Sequence, residues 1–547
     1  MICLGAVNAE GGTGGKMKEE LMKKQVLAMY DVRGIQNYIF RTNYIKEIVG
    51  ASAIVENIMT EGMRKIIETE PDWDEKRFLI DWEKDLAQGQ DFFGNPDVQM
   101  QVLFIGGGNA YVLFRSGQIC REMNRRLSKY VLERTYSLRL AVAVVEYTGN
   151  YSADYEAINL EMREVKAHMP EGRPLGAMPF MAVDSVTGFP LSHYEQYEEK
   201  NYLSTESWLK RKKYDEISNV APENILDNMV TEKGDNSSLA VIHIDGNNMG
   251  KRIKDIMQDK EKYPEAVRAM RTISANIRDG FKEAFQVMAD YIDRNLSDRI
   301  KENRKGKLYR KLILAGDDVT FICNAMVALD AVPVFLRHVM TKKMYNDSNL
   351  TEKENLRRYG FSACGGIAFI YSHFPFRDAY EVAEACCGSA KARAKKPENR
   401  QKENLGSFFD YQICSHISAA NLSAYRKKHY MLAGESELII RRPYYVGSEV
   451  LDSICDLNER NKEYDFEILR ETICSFLKNI PRGQAKTLRN SCAMGAREAE
   501  KYITFLKSRD AVLPDSERGY WYDALEVMDL YPGKEGAKDE TEDNAAE

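Results

Sequence analysis

The sequence predicts an α+β chain built on an internal duplication and followed by a helical region. Three observations predict it. Two segments, "VLAMYDVRGIQNYIF" (Val26–Phe40) and "LAVIHIDGNNMGKRI" (Leu239–Ile253), share one order: an apolar strand, an Asp, a Gly-containing turn and a helix start. Each is followed by an apolar hairpin, "VLFIGGGNAYVLF" (Val102–Phe114) in one and "KLILAGDDVTFIC" (Lys311–Cys323) in the other. From Asp410 onward the pattern turns mostly helical.

The elements follow in chain order. The opening "MICLGAVNAEGGTGGK" is too short and too polar for a signal peptide, and residues 1–24 read as a flexible leader. The first copy spans 25–190. After its hairpin come a strand "LRLAVAVVEY" (Leu138–Tyr147), a helix "DYEAINLEMREVKAHM" (Asp154–Met169) and a last strand "GAMPFMAV" (Gly176–Val183). The second copy spans 238–413 and repeats the order with "FSACGGIAFIY" (Phe361–Tyr371), "FRDAYEVAEACCGSAKARAKK" (Phe376–Lys396) and "GSFFDYQI" (Gly406–Ile413). In both helices apolar residues recur at helical spacing, and a Lys stands about twelve residues after an Asp. Strand–helix–strand–strand–helix–strand is the split β-α-β, ferredoxin-like unit, an antiparallel sheet with helices on one face. Two such palm-like domains, packed as a pseudo-dimer, are therefore expected. The charged, Tyr-rich stretch over 191–237 links them. A helical domain is expected over 414–532, on the periodicity of "DFEILRETICSFLKNI" (Asp465–Ile480) and "LRNSCAMGAREAEKYITFLKS" (Leu488–Ser508). The acidic, apolar-poor end over 533–547 reads as disordered.

Composition narrows the class. With 547 residues, 44% hydrophobic and 29% charged, the chain has ample material for several cores. No apolar run approaches the ~18–20 residues of a membrane helix, and a cytoplasmic protein without membrane partners is expected. Ten cysteines show no C-x-x-C pair, so neither a disulfide framework nor a zinc ribbon is signalled, and the adjacent Cys386 and Cys387 read as core thiols. A net charge of −6 argues against nucleic acid coating the whole surface but allows a local cationic pocket.

The hairpin tip carries the chemistry. Asp317 and Asp318 are adjacent carboxylates in an apolar setting, and like charges so close repel unless a cation sits between them. In the expected fold the first strand lies beside the hairpin, so Asp245 joins them. A divalent cation resolves the repulsion, and Mg²⁺ favours a few carboxylates plus substrate phosphates. Two ions, Mg²⁺ or Mn²⁺, would activate an attacking hydroxyl and stabilise a leaving pyrophosphate. Around them, the turn Gly246, Asn247, Asn248 and Gly250 enters a helix whose N–H groups can cradle phosphate, with Gly316 in the hairpin turn. Lys391 and Lys395, four apart on one helix face, could neutralise phosphates. The bland alternatives stay beside these. Gly-Asp-Asp also makes a solvated turn, and "KARAKK" also makes a solvated helix end. The run "KENRKGKLYRK" (Lys301–Lys311) reads as a connector or an RNA contact, and His243 as a packed strand residue. The first copy has Gly108 and Asn109 where the second has its acidic pair, so Asp31 alone cannot build such a site. The first copy is expected to be catalytically silent, with Asp31–Ser52 shaping the other copy's pocket.

Taken together, these motifs resemble a known family. "IQNYIFRTNYIKEIVGAS", "IDGNNMG", "LILAGDD", "ACGGIAFIYSHFPFRDAYEVAEACCGSAKARAK", "RRPYYV" (Arg441–Val446) and "IPRGQAKTLRN" (Ile480–Asn490) are similar to the large polymerase/cyclase-like palm subunit of type III CRISPR effector complexes, a distant relative of GGDEF cyclases. The resemblance covers most of Val26 to Ser508. It implies that Asp245, Asp317 and Asp318 bind catalytic metal, that Lys391 lies near the triphosphate, and that ATP is converted to cyclic oligoadenylate messengers in antiviral defence. It also implies CRISPR-type protein subunits and guide or target RNA as partners. Four departures stand out, and the first three suggest a reduced or stand-alone member. None of the seven His is followed by Asp, so the HD nuclease pattern is missing; "DSVTGFPLSHY" (Asp184–Tyr194) has no Cys where a zinc element is usual; Asp-Gly-Asn replaces Asp-Gly-Asp; and Ala-Gly-Asp-Asp replaces Gly-Gly-Asp-Asp.

The leading expectation is an ATP-using nucleotidyltransferase in which a 3′-hydroxyl attacks the α-phosphorus of a neighbouring ATP. Two alternatives remain: a non-catalytic nucleotide- or RNA-binding scaffold subunit, and a GGDEF-like cyclic dinucleotide synthase.

Overall fold

The computed structural model describes residues 21–84, 89–106, 108–169, 178–195, 202–217, 229, 238–300, 307–371, 374–396, 404–414, 421–432 and 438–531. Most of the expected leader, part of the basic run Lys301–Lys311 and the acidic tail fall outside them. The chain divides into two compact units, Met1–Pro222 with Asn248–Ala275, and Glu223–Asn247 with Asn276–Glu547. The architecture is α+β in both.

The first unit holds a sheet of β1 (Val26–Arg33), β2 (Phe78–Leu79), β3 (Met100–Gly106), β4 (Asn109–Phe114) and β5 (Arg139–Glu146), in the order β2-β3-β4-β1-β5. β1 runs antiparallel to both neighbours. Helix α1 (Ile45–Thr69) follows β1, α2 (Gly117–Thr135) joins β4 to β5, and α3 (Tyr151–His168) follows β5. The sequence reading passed over α2, although Ser116 caps it by accepting from the Ile119 N–H.

One expected strand is corrected. Gly176 and Ala177 lie outside the described residues, and Met178–Val183 form no strand beyond an isolated Val183–Pro190 bridge. Pro179 removes a ladder donor in the middle of that stretch, whereas the corresponding strand of the second copy contains no Pro. The stretch expected as a linker is partly structured as well. β6 (Leu191–Tyr194) and β7 (Tyr202–Ser204) form a two-stranded ribbon, and α4 (Thr205–Ile217) packs on α1.

The second unit holds β8 (Ser238–Gly246), β9 (Tyr309–Ala315), β10 (Asp318–Asn324), β11 (Ala363–Tyr371), β12 (Ser407–Ile413) and β13 (Tyr444–Val446), in the order β13-β12-β11-β8-β10-β9. All pairs are antiparallel except β11–β12. Along the chain β8 is followed by α5 (Met249–Met257) and α6 (Tyr263–Tyr291); of these, residues from Asn276 onward belong to this unit. α7 (Ala325–Val339) joins β10 to β11, and α8 (Phe376–Ala394) joins β11 to β12. α7 also escaped the sequence reading. It is buried nearly all round, so its apolar residues show no stripe.

The expected sheet with helices on one face is corrected by β11. A Cβ on Gly365 would meet Val332 of α7, and one on the next residue, Gly366, would meet Ala383 of α8. Successive strand residues point to opposite faces, so helices cover both. The near-continuous burial of β8 from Leu239 to Ile244 agrees.

The C-terminal stretch is mostly helical, with α9 (Leu422–Tyr430), α10 (Phe466–Asn479), α11 (Arg482–Ala493), α12 (Ala496–Lys507) and α13 (Arg518–Val527). It is not wholly so, because β13 adds to the sheet. Buried ion pairs hold it: Arg426 of α9 to Asp410 of β12 at 2.7 Å, and Arg442, just before β13, to Asp523 of α13 at 2.7 Å.

Candidate active site at the end of strand β8

The sheet brings the carboxylates together. β10 pairs with β8 through Val319–Ile244, and Asp318 and Asp245 are each the next residue beyond that pair. Across the hairpin Asp318 pairs with Ala315, leaving Gly316 and Asp317 as a two-residue turn. Gly316 has φ +65°, a left-handed conformation that glycine adopts without strain. Asp245, Asp317 and Asp318 therefore share the end of two neighbouring strands, as their spacing predicts.

Helix α8 supplies the cation. A Cβ at Gly366 would stand 1.9 Å from the Ala383 carbonyl oxygen and 2.4 Å from the Cys387 nitrogen, so glycine there lets the helix backbone lie directly on β11. Gly366 pairs with His243 and Cys364 with Asp245, so α8 covers the face that bears both side chains. From its last turn Lys391 donates to Asp245 Oδ2.

The electrostatics follow from this packing. Burial, then the Asp245 carboxylate, pushes Asp317 up to about 6. Burial, then Asp245, Asp317 and Glu384, pushes Asp318 up to about 7. Burial works against the Lys391 charge, but the Asp245 carboxylate outweighs it and the net shift is upward. Burial depresses His243 to about 4, so its imidazole is neutral near pH 7. Its Nδ1 stands 3.3 Å from Thr320 Oγ1 and 3.5 Å from Asp318 Oδ1. The packed-strand reading of His243 holds.

The donor set can be tested against a metal. Three hard carboxylates suit Mg²⁺ or Mn²⁺, and Asp318 Oδ1 is a solvent-shielded atom with no hydrogen-bond partner. Among the described residues, however, no three His, Cys, Asp or Glu side chains stand where they could hold an ion together. The donors fit in kind, while Asp245 is already engaged by Lys391.

The first unit repeats half of this arrangement. Asp31 stands near the end of β1 as Asp245 does near the end of β8, and Lys166 of α3 pairs with it at 2.5 Å. Asn109 pairs with Asp31 across the strands, in the place that Asp318 takes, and its Oδ1 is likewise buried without a hydrogen-bond partner. Gly108 there has φ +81°. The Asp–Lys pair thus occurs twice and the acidic pair once.

No family model matches the chain. No curated protein matches it. Solved structures do, among them Csm1–Csm4 cassettes, one of them from a type III-A CRISPR–Csm complex. The Csm1–Csm4 subcomplex of the type III-A CRISPR–Csm interference complex is 12% identical, with a TM-score of 0.48 over 93% of this chain and 70% of that one. The cassette in complex with pppApA is 11% identical, with a TM-score of 0.48 over 94% and 70%. The cassette in complex with cA4 is 12% identical, with a TM-score of 0.45 over 95% and 71%. At these scores, function has to be argued from the residues.

The remaining predicted residues divide. Gly246 is the last residue of β8 and is buried. Asn247 is turned into the fold: it is 2% exposed, its backbone N–H donates to the Ser362 carbonyl at 2.8 Å, and its Nδ2 donates to the Gly406 carbonyl at 3.0 Å. The amide nitrogen thus holds the loops that lead into β11 and β12, while its Oδ1 is buried without a hydrogen-bond partner. Asn248 is exposed at φ +55° and caps α5 without a side-chain bond, and Gly250 faces open space. Lys395 caps the end of α8 and is exposed.

Two residues of the site were missed. Tyr380 and Glu384 precede Lys391 on α8 at helical spacing, and the charges of Asp318 and Asp245 act on Tyr380 while that of Asp245 acts on Glu384. The signal was present as the spacing 380, 384, 387, 391, a single face of a helix.

Proposed function

We propose that the chain is a palm-type nucleotidyltransferase, akin to the large subunit of type III CRISPR complexes, that converts ATP to a cyclic oligonucleotide messenger in antiviral defence. One observation carries the reading. The β9–β10 turn sets Asp317 and Asp318 beside Asp245 at a strand end, with both hairpin carboxyls strained toward their protonated forms. Such a cluster gains most from a bound cation. Both sheets read as palm-like. The first, with Gly108 and Asn109 in the turn, is catalytically silent.

Asp245, Asp317 and Asp318 would hold Mg²⁺ or Mn²⁺, which when bound would activate the attacking 3′-hydroxyl and stabilise the pyrophosphate. The chain's own residues set up the rest. Lys391 moves from Asp245 to the phosphates. Gly316, at φ +65°, keeps the hairpin turn tight. The ligands named for the neighbours, pppApA and cA4, are of the proposed substrate and product class. CRISPR-type protein subunits are the matching partners.

A second reading, a nucleotide- or RNA-binding scaffold without catalysis, is favoured by the engagement of Asp245 by Lys391. Incubating the purified chain with each labelled nucleoside triphosphate and Mg²⁺ or Mn²⁺, then resolving products by mass, separates the two. A cyclic product that disappears in Asp317→Asn/Asp318→Asn supports catalysis. Nucleotide binding with no product in any mixture supports the scaffold.

A further inference from the structure

His243 stands inside an otherwise apolar strand, and the proposed chemistry leaves it unused. Its neighbours on β8, Ile242 and Ile244, are fully buried, and it is itself 4% exposed. Its ring is held from three sides. Thr320 of β10 and Gly366 of β11 are its strand partners, and the Tyr380 ring of α8 meets it edge-on with centroids 5.5 Å apart. So held, its Nδ1 lies 3.3 Å from Thr320 Oγ1 and 3.5 Å from Asp318 Oδ1. That Asp318 oxygen is shut in without a hydrogen-bond partner, although 33% of the Asp318 side chain is exposed.

The first unit is an internal control. Two residues before the strand-end Asp stands His243 in β8 and Met29 in β1. Met29 pairs with Tyr111 as His243 pairs with Thr320. The turn that carries Asn109 thus has no imidazole behind it, and the turn that carries Asp318 has one.

We propose that His243 is a positioning residue for Asp318: its Nδ1–H holds Oδ1, so that Oδ2 alone is presented to a small octahedral cation such as Mg²⁺ or Mn²⁺. The inference rests on the cation reading above and names what selects the ion. A shift of about 0.5 Å brings Oδ1 within good hydrogen-bond distance of Nδ1. The ring is fixed by packing before any ion arrives, as a group that orients a metal ligand must be. An octahedral ion is served by one oxygen of a carboxylate. Ca²⁺ also takes both oxygens together, and a held Oδ1 denies it that mode. An aliphatic residue would fill the strand position equally well and leave Oδ1 unheld.

The test uses the full chain without nucleotide, titrated calorimetrically with Mn²⁺ alone and with Ca²⁺ alone. His243→Leu should weaken Mn²⁺ binding at least ~10-fold, the scale for losing a group that orients a ligand, and Ca²⁺ binding less than ~3-fold. His243→Asn, whose amide nitrogen can stand near the place of Nδ1, should hold Mn²⁺ within ~3-fold of wild type. Thr320→Val keeps the shape, removes the hydroxyl, and should do the same. Magnetic resonance of the wild-type chain with ¹⁵N-labelled histidine should show the Nδ1–H tautomer for His243, its signal assigned by its loss in His243→Asn. This reading stands whether or not the Leu variant folds. An Nε2–H tautomer overturns the proposal. So do unchanged Mn²⁺ affinity in His243→Leu, equal losses for the two ions, or a loss in Thr320→Val that matches His243→Leu. No Mn²⁺ binding by the wild type ends the cation reading and this inference with it, whereas Mn²⁺ binding that His243→Leu leaves alone ends this inference only.

Discussion

Lys391 of α8 forms a salt bridge with Asp245 near the end of β8, and Lys166 of α3 does the same with Asp31 near the end of β1. The repetition matters because only the second unit has the acidic turn. The pair therefore belongs to the architecture of both sheets, and the second unit adds carboxylates to it. In the resting chain Lys391 neutralises the very carboxylate that the proposed cation would need.

Lys391→Ala should accordingly act with opposite signs on two ligands. Mn²⁺ alone, titrated calorimetrically or by paramagnetic relaxation, should bind more tightly once Asp245 is released. ATP should bind more weakly, because a charge-assisted contact to phosphate is lost. ADP should suffer less if the γ-phosphate is the partner. A variant that leaves both affinities unchanged would place Lys391 in a purely structural role.

Asn247→Asp restores the more usual Asp-Gly-Asp pattern, yet it should harm the protein. Its Nδ2 bond to the Gly406 carbonyl at 3.0 Å would become a contact between two oxygens, with a charge introduced at a position 2% exposed. The expected cost is about 2–3 kcal/mol in urea unfolding, the scale of an unpaired buried polar group. A stable variant with raised product formation would show that position 247 acts at the site rather than in holding these loops.

Gly366→Ala and Gly250→Ala should part company. At Gly366 the added methyl would meet the Ala383 carbonyl oxygen at 1.9 Å, so α8 must lift from β11 and carry Lys391 with it. A loss of about 3 kcal/mol is expected, at the upper end of overpacking. At Gly250 nothing lies within 4 Å, and Ala in a helix should leave stability equal or slightly raised. Equal melting temperatures for both variants would show that α8 is not held by that contact.

The sequence made some of this legible and not the rest, for physical reasons. Strand β8, its Asp and the acidic turn could be read because each is a local pattern: an apolar run, a turn signal, a charge where none is needed. The same spacing logic found Asp31 and the Gly108–Asn109 turn. Helix α7 could not be read, because a helix buried on all sides has no stripe, and its Pro333 reads as a breaker. The fate of Asn247 was hidden for a different reason. Its partners, Ser362 and Gly406, are over a hundred residues away, and no local rule links them. The strand drawn through Met178–Val183 came from the repeat itself, which was followed past the point where Pro179 breaks it.

The last prediction concerns Asp318→Asn in metal-free buffer. In the folded chain burial and the neighbouring carboxylates raise Asp318 from an ordinary 3.8 to about 7. Between those values the folded state binds more protons than the unfolded one, so wild-type stability is present at low pH and is lost as pH rises through the folded pKa. Asn cannot titrate and keeps the size and turn tolerance of Asp. The variant should therefore melt at or above wild type at pH 8, and its advantage should shrink by pH 5 and vanish near pH 4. Asp317→Asn should follow the same course over a narrower window, because Asp317 is raised only to about 6. Both variants should lose nucleotide product, since each removes an anionic donor from the proposed cation site. Thermal melts with EDTA at the three pH values, beside a product assay with Mg²⁺, check both halves. If either variant melts well below wild type at pH 8, the carboxylates hold the hairpin together, and the charge strain that points to a cation at this turn does not exist.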